Sequence, residues 1–229
     1  MVSTAKFEEG HGSSDVKCHA SLVTCQMSPP EGGAAGGSPD HKAPSCGYFL
    51  FSLRYHRLVV EVLFTEQQIQ ERVAKLGREI SSDYADRRLV VVSVLRGSVF
   101  FTTDLTRHIS FPISMDFLSI SSYGEGSEGV VRITKDLEEN IAGKDVLLIE
   151  DIVDTGFTVK YLLRTLASRN PRSLEVCVLL DRRARRIIEI DLKYVGFEIP
   201  DKFVVGYGLD YKQQFRNLPY IGVVQPDKL

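Results

Sequence analysis

The residues with the most capacity for chemistry lie in one stretch, Val146-Leu-Leu-Ile-Glu-Asp-Ile-Val-Asp-Thr-Gly-Phe-Thr158. An apolar run ends in two adjacent carboxylates, Glu150 and Asp151, and a turn containing Asp154, Thr155, Gly156 and Thr158 opens a helix. A helix N-terminus presents unpaired amides and a partial positive charge, which favours a bound phosphate. Gly156 lets the backbone approach that phosphate closely, and the two threonine hydroxyls add donors. Glu150 and Asp151 only accept hydrogen bonds; they suit sugar hydroxyls and would repel a phosphate. The segment therefore divides one substrate into a sugar part and a phosphate part. A plainer reading is a helix cap and surface turn, since Asp and Thr are common capping residues. An aspartyl-phosphate phosphotransferase would need a strand ending D-x-D-x-T. Asp151 and Asp154 stand one position too far apart for that.

Such residues need elements that bring loops together at one end of a sheet. Thr65-Glu-Gln-Gln68 is a capping box, and Ile69, Val73, Leu76 and Ile80 recur at helical spacing behind it, predicting a helix to about Asp83. Elements then alternate: a β-branched run at 89–95, a helix at 98–109, strands at 113–120 and 130–134, and a buried strand at 146–149. A helix over 158–169, a buried strand at 174–180 and shorter strands at 194–197, 203–207 and 220–224 follow. Continuous apolar strands separated by helices predict an α/β fold, a mainly parallel twisted sheet covered on both faces. In open sheets of this class ligands sit beyond the carboxyl ends of the strands. That is where the carboxylate-turn segment falls.

Composition bounds the partners. Net charge is −2, so no global basic field points to nucleic acid or an anionic membrane, and no apolar run reaches the length of a membrane span. The beginning of the chain lacks a charged-then-apolar signal layout, and the four cysteines are irregularly spaced; both favour a cytoplasmic setting. Cys18-His19 with Cys25 fits no common zinc spacing, and Cys177 sits in an apolar run as a small hydrophobe. From Ser28 to Gly47 the sequence is dominated by Gly, Pro, Ser and Ala and buries too little apolar surface to order itself. Residues 1–57 are therefore expected to be a disordered extension and 58–229 the folded domain. Tyr123-Gly-Glu-Gly-Ser-Glu-Gly129 reads as a mobile lid or a flexible hairpin connection. Arg182, Arg183, Arg185 and Arg186 read as a solvated face or subunit contact, too small a patch to indicate RNA.

The segment Ile149-Glu-Asp-Ile-Val-Asp-Thr-Gly156 resembles the phosphoribosyl pyrophosphate motif of type I phosphoribosyltransferases, the hypoxanthine-guanine branch in particular. Val92-Ser-Val-Leu-Arg-Gly-Ser98 resembles that family's pyrophosphate loop, Ser121-Ser-Tyr-Gly124 the start of its mobile loop, and the stretch from Tyr194 to Tyr211 its purine segment. The resemblance runs in order from about Val62 to Pro226. It implies the type I fold with a small hood subdomain, and transfer of the 5-phosphoribosyl group to hypoxanthine or guanine with release of pyrophosphate. By it, Glu150 and Asp151 would hold the ribose hydroxyls, while Asp154, Thr155, Gly156 and Thr158 would hold the 5′-phosphate. Arg96, Gly97 and Ser98 would take pyrophosphate, in a loop that in the family can carry a non-proline cis peptide. Phe203, Val204, Arg182 and Asp210 would face the purine, with Asp154 exchanging a proton at N7. Magnesium would sit among Glu150, Asp151 and Asp210. Arg182 stands where the family usually has lysine, which leaves the preference among hypoxanthine, guanine and xanthine open. A homodimer or homotetramer is implied. The alternatives are a xanthine-preferring enzyme and a nucleotide-binding RNA regulator of the same fold.

Overall fold

A computed structural model describes residues 59–123 and 130–225. The expectations for residues 1–57, including Cys18, Cys25 and Cys46, fall outside the described residues, as do those for 124–129. In chain order the elements are β1 (Val59–Phe64), α1 (Glu66–Asp83), β2 (Leu89–Leu95), α2 (Val99–Arg107), β3 (Ser114–Tyr123) and β4 (Val130–Lys135). Then come β5 (Asp145–Val153), α3 (Phe157–Ala167), β6 (Ser173–Asp181), a 3-10 turn (Arg183–Arg185), β7 (Tyr194–Glu198), β8 (Val204–Val205) and β9 (Ile221–Val224). Among them no helix is long and apolar enough to cross a membrane.

The capping box forms as read: Thr65 Oγ1 accepts from the Gln68 amide while Gln68 Oε1 accepts from the Thr65 amide. The main sheet has six strands in the order β4-β3-β2-β5-β6-β7, parallel except that β4 runs antiparallel to β3. Burial on both faces explains why β2 and β5 are continuously apolar. Val91, Leu147 and Ile149 pack with α1 and α2, whereas Val90, Val92, Val146 and Leu148 pack with α3. A separate antiparallel sheet, β1-β9-β8, supplies the small second layer that the resemblance implied.

Three boundaries differ from the sequence reading for identifiable reasons. Strand β5 continues past Ile149 to Val153, because Glu150, Ile152 and Val153 stay in register with Val178, Leu180 and Asp181 of β6. The strand expected at 203–207 shrinks to Val204–Val205, since Gly206 and Tyr207 adopt φ of +100° and +48° and turn the chain. Strand β1, not among the strands expected from sequence, is the β-branched run Val59–Phe64, and its partner β9 lies at the other end of the domain.

The entry of β5 is pinned by charge. Asp145 is 1% exposed, and its carboxylate accepts from Arg172 Nε at 3.1 Å and Ser173 Oγ at 2.7 Å. The Arg172 hydrogen bond, with help from Ser173, outweighs desolvation and holds the carboxyl below its ordinary 3.8. A group depressed in the folded state contributes stability above its unfolded pKa and loses it as pH falls through the folded value. Asp145→Asn is therefore expected to cost about 1–3 kcal/mol at pH 7. In urea titrations the gap between variant and parent should close progressively below pH 4; a gap of constant size would contradict the assignment.

Candidate active site

Strands β2 and β5 end side by side, and the loops that leave them enclose a cavity of about 340 Å³. Its lining brings together Arg96, Gly97, Glu150, Asp151, Asp154, Thr155, Gly156, Thr158 and Asp210. A second cavity of about 220 Å³ shares Asp151, Asp154 and Asp210 and is closed by Arg182, Phe203, Val204 and Leu209. Residues from four separate stretches of sequence thus meet at the carboxyl ends of the strands.

The turn that opens α3 is built for close approach. Gly156 is the N-cap with φ +92°, and a Cβ there would lie 2.7 Å from the Ile188 carbonyl oxygen. No side chain caps this helix, which leaves its first amides to an external acceptor. Thr155 and Thr158 line the cavity beside them. At the end of β5, Glu150 is 5% exposed, and burial, reinforced by the neighbouring Asp151 charge, pushes its carboxyl well above the usual range. Burial also raises Asp151 to about 6, against the Ile152 amide that donates to its Oδ1 at 2.8 Å. Two adjacent carboxyls reluctant to ionise match acceptors and donors for neutral hydroxyls better than a second anion.

The loop after β2 meets these carboxyls through bare backbone. The Leu95–Arg96 peptide is cis. A Cβ on Gly97 would stand 1.5 Å from Asp151 Oδ2, and a Cβ on Gly208 would stand 2.0 Å from the Gly97 carbonyl oxygen. Ser98 does not line the cavity. It is fully buried, its hydroxyl 2.8 Å from Ser93 Oγ and also donating to the Val94 carbonyl, so it ties the loop to β2 from within.

On the side of the second cavity, Arg182 is 5% exposed and its Nη1 lies 3.1 and 3.2 Å from the two oxygens of Asp154. Its Nε is buried without a hydrogen-bond partner. Phe203 is 40% exposed, its ring edge-on to Tyr211 at 5.7 Å. Asp210 accepts from the Gln213 amide at 2.8 Å and pairs with Arg216 at 2.6 Å. Arg216 was not singled out from sequence. It lies on the cavity wall, its charge acts on Asp151, and its signal was only a lone arginine six positions beyond Asp210.

Glu150, Asp151 and Asp210 line one cavity, yet among the described residues no three His, Cys, Asp or Glu side chains cluster closely enough to hold a metal ion by themselves. Asp210 is engaged by Arg216 and the Gln213 amide. Ser121, Ser122 and Tyr123, read as the start of a mobile loop, lie in regular strand β3 opposite Arg132, Val131 and Val130. Gly124 lies outside the described residues. The four arginines do not form one solvated face. Arg183 and Arg185 are exposed, while the side chains of Arg182 and Arg186 are each 6% exposed and turned inward.

A parallel sheet whose central strand ends in a buried Glu150 and a half-buried Asp151 beside a helix-opening turn sets the class. The family model described as a phosphoribosyl transferase domain matches residues 60–212. The hypoxanthine-guanine phosphoribosyltransferase of Mycobacterium avium is 50% identical over 176 residues, spanning 73% of this chain and 87% of that one. The enzyme of the same name from Dictyostelium discoideum is 50% identical over 173 residues, 73% of this chain and 96% of that one. A crystal structure of a Staphylococcus aureus hypoxanthine phosphoribosyltransferase superposes with a TM-score of 0.74 at 47% identity, covering 76% of this chain and 96% of that one. The chain belongs to the hypoxanthine-guanine phosphoribosyltransferase family, and it is a phosphoribosyltransferase.

The contact between Gly97 and Asp151 makes a direct prediction. Gly97→Ala must displace either the loop or the carboxylate, and misplacement of about 1 Å at a site can cost about a hundredfold in rate. Transferase activity is expected to fall about tenfold or more while circular dichroism stays at the parent signal. Full activity would show that the loop and Asp151 are not held in contact.

Proposed function

We propose that this enzyme transfers the 5-phosphoribosyl group from phosphoribosyl pyrophosphate to hypoxanthine or guanine, forming IMP or GMP and pyrophosphate. The observation that carries the reading is the shared wall of the two cavities. Asp151, Asp154 and Asp210 border both, so a sugar held in one meets a planar base held in the other.

In this reading the bond between the anomeric carbon and pyrophosphate breaks as a ring nitrogen of the purine bonds to that carbon. The amides and hydroxyls from Thr155 to Thr158 hold the 5′-phosphate, and Glu150 and Asp151 hold the ribose hydroxyls. Arg96, the Gly97 backbone and Arg216 face the departing pyrophosphate. Phe203 stacks on the base and the Val204 backbone meets its edge. Arg182, on the wall of the second cavity, donates to the 6-oxo group. Asp154 accepts the N7 proton. A carboxylate in that position contributes about 10²–10⁴-fold as a general base. The carboxylates of Glu150, Asp151 and Asp210 on the cavity wall would hold magnesium, a hard cation that suits sparse oxygen ligation. Bound there, magnesium would supply charge neutralisation of the leaving group. Cytoplasmic location and a homodimeric or homotetrameric assembly complete the reading.

A second base preference has its own support. Arginine at position 182 is longer and planar compared with lysine, and it can span two acceptors. Xanthine, with an additional oxo group, is therefore the competing substrate.

The test is turnover of purified protein with phosphoribosyl pyrophosphate, magnesium and each of hypoxanthine, guanine, xanthine and adenine. Hypoxanthine and guanine are expected to react, and Asp154→Asn is expected to lower kcat by about 10²–10⁴-fold. Reaction with xanthine alone would transfer the preference to the second reading. Nucleotide binding without any turnover would favour the RNA regulator.

A further inference from the structure

We infer that Arg186 is a positioning residue for the phosphate-binding turn, a buried guanidinium that holds the turn from behind with Asp181 as its counter-charge. The inference rests on the phosphoribosyl-transfer reading, since it concerns how the 5′-phosphate subsite keeps its shape.

Arg186 follows the 3-10 turn after β6, in a run whose composition reads as surface. Its neighbour Arg185 behaves that way, pairing with Asp201 at 2.5 Å while both side chains remain about half exposed. The Arg186 side chain goes the other way and is 6% exposed. A buried charge is tolerated only when it is paired and its donors are satisfied. Here Nε donates to the Asp154 carbonyl at 3.0 Å, and Nη2 pairs with the carboxylate of Asp181, itself 12% exposed. The same Nη2 lies 3.5 Å from the Val153 carbonyl. One guanidinium therefore spans the last residues of β5 and the end of β6.

The chain around it continues the job. The amides of Ile187 and Ile188 both donate to the Thr155 carbonyl at 3.0 Å. Gly156 rests directly on this segment: an added Cβ would stand 2.7 Å from the Ile188 oxygen and 3.3 Å from Arg186 Cδ. The carbonyls of Asp154 and Thr155 are thus drawn backward, away from the cavity. Amides in a tight turn tend to point opposite to neighbouring carbonyls, so anchoring the carbonyls presents the amides to a phosphate. Arg182 acts on the same turn from the cavity side, its amide on the Val153 carbonyl at 3.0 Å and its guanidinium on the Asp154 carboxylate. Two arginines and two aspartates are paired one to one, which leaves Arg182 assigned to Asp154 and Arg186 to Asp181. Arg186 touches no cavity wall, so its effect on substrate passes wholly through the backbone.

The test compares Arg186→Met, Arg186→Lys and Asp181→Asn with the parent in steady-state kinetics, varying each substrate in turn, with ribose 5-phosphate binding measured by calorimetry. For Arg186→Met, KM for phosphoribosyl pyrophosphate is expected to rise about tenfold or more and ribose 5-phosphate binding to weaken in parallel. KM for the purine base should change by less than about threefold, since Arg186 touches no wall of the base cavity. Arg186→Lys, which keeps the charge but not the fork, and Asp181→Asn should fall between the two, so the inference stands or falls even if the methionine variant does not fold. Unchanged phosphoribosyl pyrophosphate KM in the folded variants would overturn the inference, as would a loss of active enzyme with all KM values preserved. If the parent itself bound neither ribose 5-phosphate nor phosphoribosyl pyrophosphate, the transfer reading would fall first and the inference with it.

Discussion

Two adjacent carboxyls, the buried Glu150 and the half-buried Asp151, stand at the end of a buried strand, and much of the surrounding structure follows from that constraint. Desolvation disfavours their charged forms. The fold offsets this with groups that approach from the backbone: the Ile152 amide on Asp151, and a glycine at position 97 that leaves Asp151 its space. The same requirement reaches the segment after β8, where Gly208 has to be bare because Gly97 already occupies the gap. Asp151, Gly97 and Gly208 form a stack in which each position limits the next. Three parts of the chain are thereby held in fixed relation largely through backbone, with Arg96 donating to Gln213 Oε1 at 3.2 Å across the same gap.

Charged side chains are kept to the outer shell of this arrangement. Arg216 with Asp210, Arg182 with Asp154 and Arg186 with Asp181 each pair an arginine with a carboxylate at the rim or behind the turn. Arginine suits these places because its fork serves a carboxylate and a carbonyl at once, as Arg216 does with Asp210 and the Gly208 oxygen. Lone carboxylates at the rim would repel a polyphosphate substrate; paired ones present a nearly neutral wall with donors facing inward.

Local pattern made much of the fold legible. The Thr65 capping box, the two-sided apolar strands and the turn at Gly156 carry their signals within a few residues, and the structure reproduces them. What was not legible depends on distant partners. Strand β1 exists because β9 pairs with it, and β5 extends to Val153 because β6 keeps its register. In the site, the residue types of the carboxylate-turn segment announced sugar and phosphate chemistry. Only the family resemblance set Arg182 apart, and no local pattern distinguishes the inward Arg186 from the outward Arg183 and Arg185, which differ in what the fold places beside them. Ser98 shows the converse: a residue type fit for anion binding whose hydroxyl is already committed to Ser93 and Val94.

The central claim is that one substrate is divided at the end of β5, phosphate to the turn and sugar hydroxyls to the carboxyls. A crystal structure of the protein with phosphoribosyl pyrophosphate and magnesium tests it most directly. The account predicts the 5′-phosphate within hydrogen-bonding distance of the amides between Thr155 and Thr158, with the ribose hydroxyls on Glu150 and Asp151. A 5′-phosphate seated instead on Arg96 and Arg216, with the turn empty, would contradict it.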